Sequence, residues 1–383
     1  MSAPWVVHPW TAHESPQTVK LRWNPVSIGT SIWYSTDYNA GERGMVEFCT
    51  KSNKTKRIVP YPPNIEPYDH ALCLYQQTKI IIVDGVNGKL ILFDPTPDVT
   101  NQQSEFLVAG YLHRHHSSFP FELFSLCLTY YHITATHFEE LYIQHTAERQ
   151  RNSVLCSPQM HKLGHQLCCV ATEDDLFIFP SKRKRMWRLA IQKHHLPLQF
   201  GRCQDPMIKC SGGKVSKVSV VRWKDKIIRF GGYNRKRREM LDTFFMSSDV
   251  REQNVEWMKK NNFALKHKMC GCGYVCHDNY LVMFGGVTND NDGSQIYVLN
   301  LNGTAGWVLS SIRCPVRAQY MAVVDANENV HLFAYGEGVA PLHCSIAFSV
   351  LVADALEQLE RIRKERLRRD NELEERLKKL QGI

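Results

Sequence analysis

Residues 217–232 and 271–286 follow one plan. Each stretch runs as an apolar strand, a short polar turn, and a second apolar strand that stops at a double glycine. The turns are Lys224-Asp225-Lys226 and His277-Asp278-Asn279; the stops are Gly231-Gly232 and Gly285-Gly286. A third, aromatic strand follows in both (MLDTFFMS, QIYVLNL), and then a segment that ends at Trp257 or Trp307. A recurring unit of this kind restricts the fold more than any composition does, because every copy must find the same kind of neighbour. The order recurs with eroded glycines elsewhere: HALCLY then KIIIVDG, HQLCCVA then LFIFPS, QYMAVV then VHLFAYG. Marking the first strand of each copy gives Val19, His70, Ser125, Gln166, Val218, Gly273 and Gln319. These are units of roughly 50 residues, each able to supply four short strands.

The class expected from this repeat is all-β: a β-propeller, seven-bladed or six-bladed with four strands per blade, followed by a long C-terminal α-helix. One such sheet cannot bury both faces alone, and radial stacking gives each face a neighbour. That explains why Ile80–Val83, Ile227–Phe230 and Leu281–Phe284 are nearly continuous apolar runs rather than alternating ones. It also assigns a role to the double glycine, which permits positive φ and a close approach of the next unit. The expected divisions are an N-terminal extension over 1–18, the repeat domain over 19–350 and a charged helix over 351–383.

An apolar run ending in Gly-Gly, then an aromatic strand and a tryptophan, resembles the kelch repeat. The resemblance spans roughly residues 19–350. It is carried by Phe230-Gly231-Gly232 with Trp257 and by Phe284-Gly285-Gly286 with Tyr297 and Trp307; Asp84-Gly85 is a partial match. Pro180-Ser181 and Ala334-Tyr335 stand where other copies would have the glycines. The resemblance implies a propeller that serves as a binding platform for other proteins. Related propellers that receive substrates for ubiquitin ligases carry an adaptor domain, for which the residues before Val19 leave no room. The copper oxidases among them need a tyrosine–cysteine cofactor and an extracellular setting, and nothing in this sequence supplies either.

The 383 residues carry 47 Lys and Arg against 38 Asp and Glu, a net charge of +9, so an acidic partner suits the chain. No apolar run reaches membrane-spanning length, and MSAPWVVHPW lacks the basic start and apolar core of a signal peptide. The expected location is cytoplasmic, with nuclear import as the alternative that Lys182–Arg185 suggests. In that setting the 13 scattered cysteines are expected as free thiols.

From about Ala347 the texture becomes helical. Glu357–Arg361, Glu360–Lys364 and Glu365–Arg369 are i,i+4 pairs with the acid first, each worth ~0.2–0.5 kcal/mol. Leu356, Leu359, Leu373, Leu377 and Leu380 share a stripe that Arg363, Arg366 and Asp370 interrupt. Three uses fit such a helix: a free-standing or partner-seeking arm, self-association, or packing on the propeller.

Candidate chemistry is thin. Cys270, Cys272, Cys276 and His277 are dense enough for a metal, but their spacing lies on a strand, where alternate residues face opposite sides. Cys73, Cys127, Cys168 and Cys276 occupy similar places in four repeats, which fits small buried side chains. His161 and His165 lack a helical context and an acidic partner. Cys210–Lys214 is glycine-rich but precedes a strand rather than a helix. No nucleophile elbow, phosphate loop or kinase motif occurs, so no catalytic residue, cofactor or metal is expected and the chain is read as not an enzyme.

What stands out is charge. Lys182, Arg183, Lys184 and Arg185, and again Arg235, Lys236, Arg237 and Arg238, follow the second strand of consecutive repeats; Arg149 and Arg151 hold the same place one repeat earlier. In a propeller these turns emerge on one face, as a continuous basic patch. The function expected is a non-enzymatic protein–protein interaction scaffold that binds an acidic partner there. The alternative is nucleic acid or an anionic lipid surface on the same face, although only Trp187 and Tyr233 lie near for base stacking. The plainer use of basic turns is to solvate and blunt sheet edges.

Overall fold

The computed structural model describes residues 5–8, 25–36, 44–61, 70–84, 89–95, 105–111, 129–133, 138–141, 168–179, 185–190, 200–204, 215–252, 255–288, 293–315, 320–336 and 339–381. The chain is mostly β, in small antiparallel sheets, with one long C-terminal helix. Among the described residues, six sheets have four or more strands.

The first sheet runs Val26–Ile28, Ser31–Thr36, Gly44–Cys49, Lys54–Pro60. The second opens with His70–Tyr75 and Lys79–Asp84, the third with Cys168–Ala171 and Asp175–Phe179. The fourth orders Ser219–Trp223, Lys226–Phe230, Phe244–Ser247 and Trp257–Lys259; the fifth Gly273–His277, Tyr280–Phe284, Gln295–Asn300 and Val308–Arg313. The sixth orders Tyr320–Ala326, Asn329–Gly336 and Val339–Ala347, then takes Val6–His8 as its outermost strand. The first strand of each sheet touches the first strand of the next, and that of the sixth touches that of the first.

Apolar clusters fill the seams between neighbouring sheets. Ile227 points into the third sheet with Phe177 and Phe179, whereas Ile228 and Phe230 point into the fifth with Leu281 and Met283. Val282 and Phe284 turn the other way, toward Val330 and Leu332 of the sixth. Adjacent residues of one strand thus serve two seams, which is why these strands are apolar at nearly every position, the buried Arg229 of Lys226–Phe230 being an exception. Trp33 meets Phe93 edge-on across the first and second sheets, while Tyr34 meets Phe333 across the first and sixth. Fully burying one such side chain contributes ~1.5–3 kcal/mol.

The double glycines take the positive φ that the sequence suggests. Of Gly231, Gly232 and Gly286, however, only Gly231 has the next unit as its nearest neighbour: a Cβ there would lie 3.0 Å from the Met269 carbonyl oxygen, whereas Gly232 and Gly286 are crowded by their own units. Gly231 and Gly232 have φ of +60° and +108°, Gly285 and Gly286 +59° and +100°. A Cβ on Gly232 would lie 2.8 Å from Cγ1 of both Val215 and Val218. The Gly232 amide instead donates to the Met269 carbonyl at 3.0 Å, tying the fourth sheet to the segment that enters the fifth.

Three boundaries differ from the repeat arithmetic. The expected first strand, 19–23, lies outside the described residues, and the first sheet starts at Val26. The unit marked at Ser125 forms no sheet of its own among the described residues. Thr129–Ile133 and Phe138–Leu141 instead extend the second sheet, pairing outward from Glu105–Tyr111. The open edge of a fourth strand offers unpaired backbone groups that an adjacent segment satisfies. Residues 1–18 are expected to lie outside the repeat domain, but Val6–His8 pairs with residues 343–345 and belongs to the sixth sheet.

The helix, α1 (Phe348–Gln381), continues directly from the last strand of the sixth sheet. Phe348, Leu351 and Ala355 are buried against the fifth and sixth sheets, with Val352 and Leu359 at the margin. Asp354 accepts hydrogen bonds from Ser310 Oγ at 2.6 Å, from the Ser311 amide at 2.8 Å and from the Ser311 hydroxyl. From Arg363 onward every described residue of α1 is exposed. At 1.5 Å per residue that free arm is about 28 Å long. No helix among the described residues is long and apolar enough to cross a membrane.

Candidate functional site

The basic turn of the fourth unit is the best-defined part of the expected patch. The two-residue strands Tyr233–Asn234 and Glu239–Met240 pair as a hairpin, and Arg235, Lys236, Arg237 and Arg238 form its exposed four-residue loop. Asn234 sets the turn: its Oδ1 accepts from the amides of Lys236 at 3.1 Å and Arg237 at 3.2 Å, the local bonding that suits Asn to turns. Arg238 takes φ +53° to complete the reversal. Arg237 pairs with Glu239 at 3.6 Å, and Arg235 Nε donates to Ser216 Oγ at 3.4 Å. The loop therefore has a fixed root and displays four charges outward.

Its expected neighbours are only partly placed. Arg185 opens the strand Arg185–Ala190, paired with Gln204 across the ladder. Lys182, Arg183, Lys184, Arg149 and Arg151 lie outside the described residues, as do His161, His165 and Cys127.

The described cysteines are buried or half-buried free thiols. Burial pushes Cys168 up to about 11 and Cys272 and Cys276 up to about 12, so they stay protonated. Cys270, Cys272 and Cys276 join no metal-competent group among the described residues.

Sequence reasoning missed a different cluster. His8, His331 and His343 come from three neighbouring strands of the sixth sheet, on the side that faces the first. Their exposures are 5%, 3% and 3%. His331 Nδ1 and His343 Nε2 are 3.1 Å apart, and the Ser345 hydroxyl is 2.7 Å from His8 Nε2. Phe333 stacks flat on His343 at 4.2 Å between centroids, and Phe48 of the first sheet meets it edge-on at 4.7 Å. Burial pushes all three imidazoles down, His331 to about 4 and His343 to about 2, so they are neutral at physiological pH. A cleft of about 470 Å³ at the same seam is lined by His8, His331, Thr50, Lys51 and Asn329. The only local signal for this cluster would have been the alternation of His331 with Phe333 and His343 with Ser345, since His8 lies at the far end of the chain.

No family model and no curated protein matches the sequence. Among solved structures, one titled "Structure of YjhT" is similar in fold, with a TM-score of 0.50 at 9% identity. The match covers 86% of this chain and 94% of that one.

Proposed function

We propose that the chain is a kelch-like β-propeller of six blades that works as a non-enzymatic interaction scaffold. The fold reading is supported by the closed cycle of contacts among the six first strands and by Gly231-Gly232, which let the segment entering the fifth sheet approach the fourth closely. The functional reading rests on one observation, the exposed Arg235–Arg238 loop whose turn is fixed by Asn234. Such a loop binds an acidic protein surface with little ordering cost, because its backbone is already set. Lys182–Arg185 follow the second strand of the preceding sheet in sequence and are proposed for the same basic face. Arg149 and Arg151 are expected there only from a separate unit at Ser125, which forms no sheet of its own among the described residues.

The test changes Arg235–Arg238 to Ser, Lys182–Arg185 to Ser, or both, and measures affinity for the partner recovered by pull-down. Exposed charges contribute little to stability, so melting should hardly change. Each loop should account for part of the lost affinity. A double variant that binds as the parent does removes the site. Nucleic acid or anionic lipid on this face is the alternative, favoured if a generic oligonucleotide competes and log affinity falls linearly with log salt.

Self-association through α1 is the second part of the reading. Leu367, Leu373, Leu377 and Leu380 are exposed on the free arm. The interruptions of the apolar stripe are self-complementary in one orientation. In a parallel pair Arg363 would face Arg363 and Asp370 would face Asp370. Antiparallel, Arg366 of each copy faces Asp370 of the other, and Leu356 faces Leu380. Charges at such positions set orientation and partner choice.

A further inference from the structure

Three imidazoles buried together in an otherwise apolar seam are unusual, because each must keep a polar nitrogen satisfied away from water. The candidate ligand nitrogens of His8, His331 and His343 all lie within 4.8 Å of one another. Among the described residues they are the one group of three or more such side chains that converges in this way.

We propose that His8, His331 and His343 bind a single divalent ion of the zinc type, with the remaining coordination position open to the cleft beside them. Two ligand nitrogens on a tetrahedral zinc at 2.0–2.1 Å lie about 3.3 Å apart. His331 Nδ1 and His343 Nε2, at 3.1 Å, already hold nearly that spacing, so an ion would take the place of the proton they share. With all ligand atoms within 4.8 Å of one another, the third imidazole needs to close by at most about 1.5 Å, which a three-residue edge strand can supply. An all-nitrogen donor set suits zinc and its first-row neighbours, whereas calcium and magnesium require oxygen ligands. Desolvation keeps the three rings unprotonated, so their lone pairs are available at neutral pH. The Ser345 hydroxyl on His8 fixes the rotation of that ring, as outer partners of ligating histidines do. The cleft reaches His8 and His331 and provides an entry path.

The arrangement has a structural corollary. The ligands come from three adjacent strands, one of them the N-terminal strand. An ion there would clamp that strand to the sheet.

Cobalt(II) is the probe, with zinc as competitor, added to full-length protein stripped by chelator and dialysed under reducing conditions. One equivalent of Co²⁺ should give visible d–d absorption of a four-coordinate site, without the near-ultraviolet charge-transfer band of a thiolate. One equivalent of Zn²⁺ should abolish the absorption. His331→Asn should weaken Co²⁺ binding at least 100-fold, and Zn²⁺ should raise the melting temperature of the parent but not of that variant. If His331→Asn does not fold, the cobalt spectrum of the parent decides alone. No visible band at one equivalent, or a band with thiolate charge transfer, overturns the proposal. The three histidines would then be a metal-free stack, or the ion would sit on cysteine.

Discussion

His8 lies directly across the ladder from His343, their ring centroids 4.5 Å apart, although most of the chain separates them in sequence. Two residues earlier than Val7, Trp5 is buried beside Phe284 and donates from Nε1 to the Arg313 carbonyl at 2.8 Å. The N-terminal strand therefore holds the fifth and sixth sheets from outside.

Removing residues 1–8 should destabilise the whole domain. Trp5→Ala alone is expected to cost ~3–5 kcal/mol, the usual range for deleting a buried tryptophan. Urea unfolding measures it. A change below about 1 kcal/mol would show that the strand is peripheral.

Gly232→Val should be among the most damaging single substitutions. Its φ of +108° is closed to β-branched residues, and the added Cβ would meet Val215 and Val218 at 2.8 Å. A loss of about 3 kcal/mol or more is expected, read as a lower urea midpoint. Gly29, also at positive φ (+56°), has nothing within 4 Å of a built Cβ, and Gly29→Ala should cost clearly less. Equal losses at the two sites would remove close packing as the cause.

Glu47 should make stability fall in acid. It is buried, and accepts from Ser31 at 2.7 Å, Arg57 at 2.8 Å and Lys56 at 3.0 Å. Burial raises its pKa, but these hydrogen bonds outweigh burial and the value ends below the ordinary one. A depressed native pKa means that the unfolded chain binds more protons between the two values. The contribution is therefore complete above the unfolded value of ~4.3 and is lost as pH falls through the native one. Glu47→Gln should cost about 1–3 kcal/mol at pH 7 and flatten this part of the acid limb. A parent and variant with superimposable pH–stability curves would contradict it.

If copies associate through α1, Asp370→Arg should abolish association, and Asp370→Arg combined with Arg366→Asp should restore it, since the swap preserves every antiparallel contact. Sedimentation equilibrium reports both. Restoration must come without a change in helix content by circular dichroism. Failure of the double variant to recover would exclude the antiparallel register.

Local signals were legible and remote ones were not. The strands that open at His70 and Gly273 are marked by unbroken apolar runs beside polar turns, and these begin where the repeat places them. The double glycines carry their own reason, a backbone conformation that few other residues accept. The segment around Ser125 misleads because an apolar run says that a strand exists, not which edge it joins. Val6–His8 is too short to carry a periodic signal, and no nearby turn names its partner. The three histidines are invisible for the same reason: only the pairing of Val6–His8 with the last strand makes them neighbours. The Arg235–Arg238 loop was found because charge and turn residues are contiguous there.

The pairing of Val6 with Ser345 also imposes a timetable. A ribosome adds about 5–20 residues per second, so the strand made first waits roughly 17–70 s for its partner. During that interval the sixth sheet does not exist, and one flank of the first sheet, with Tyr34 and Phe48, has nothing to cover it. Five sheets can form in order as the chain emerges, but the last step joins the two most distant strands, the kind of contact that folds slowest. That flank of the nascent protein thus stays sticky until residues 320–347 are made, and a chaperone that masks it would be needed until then.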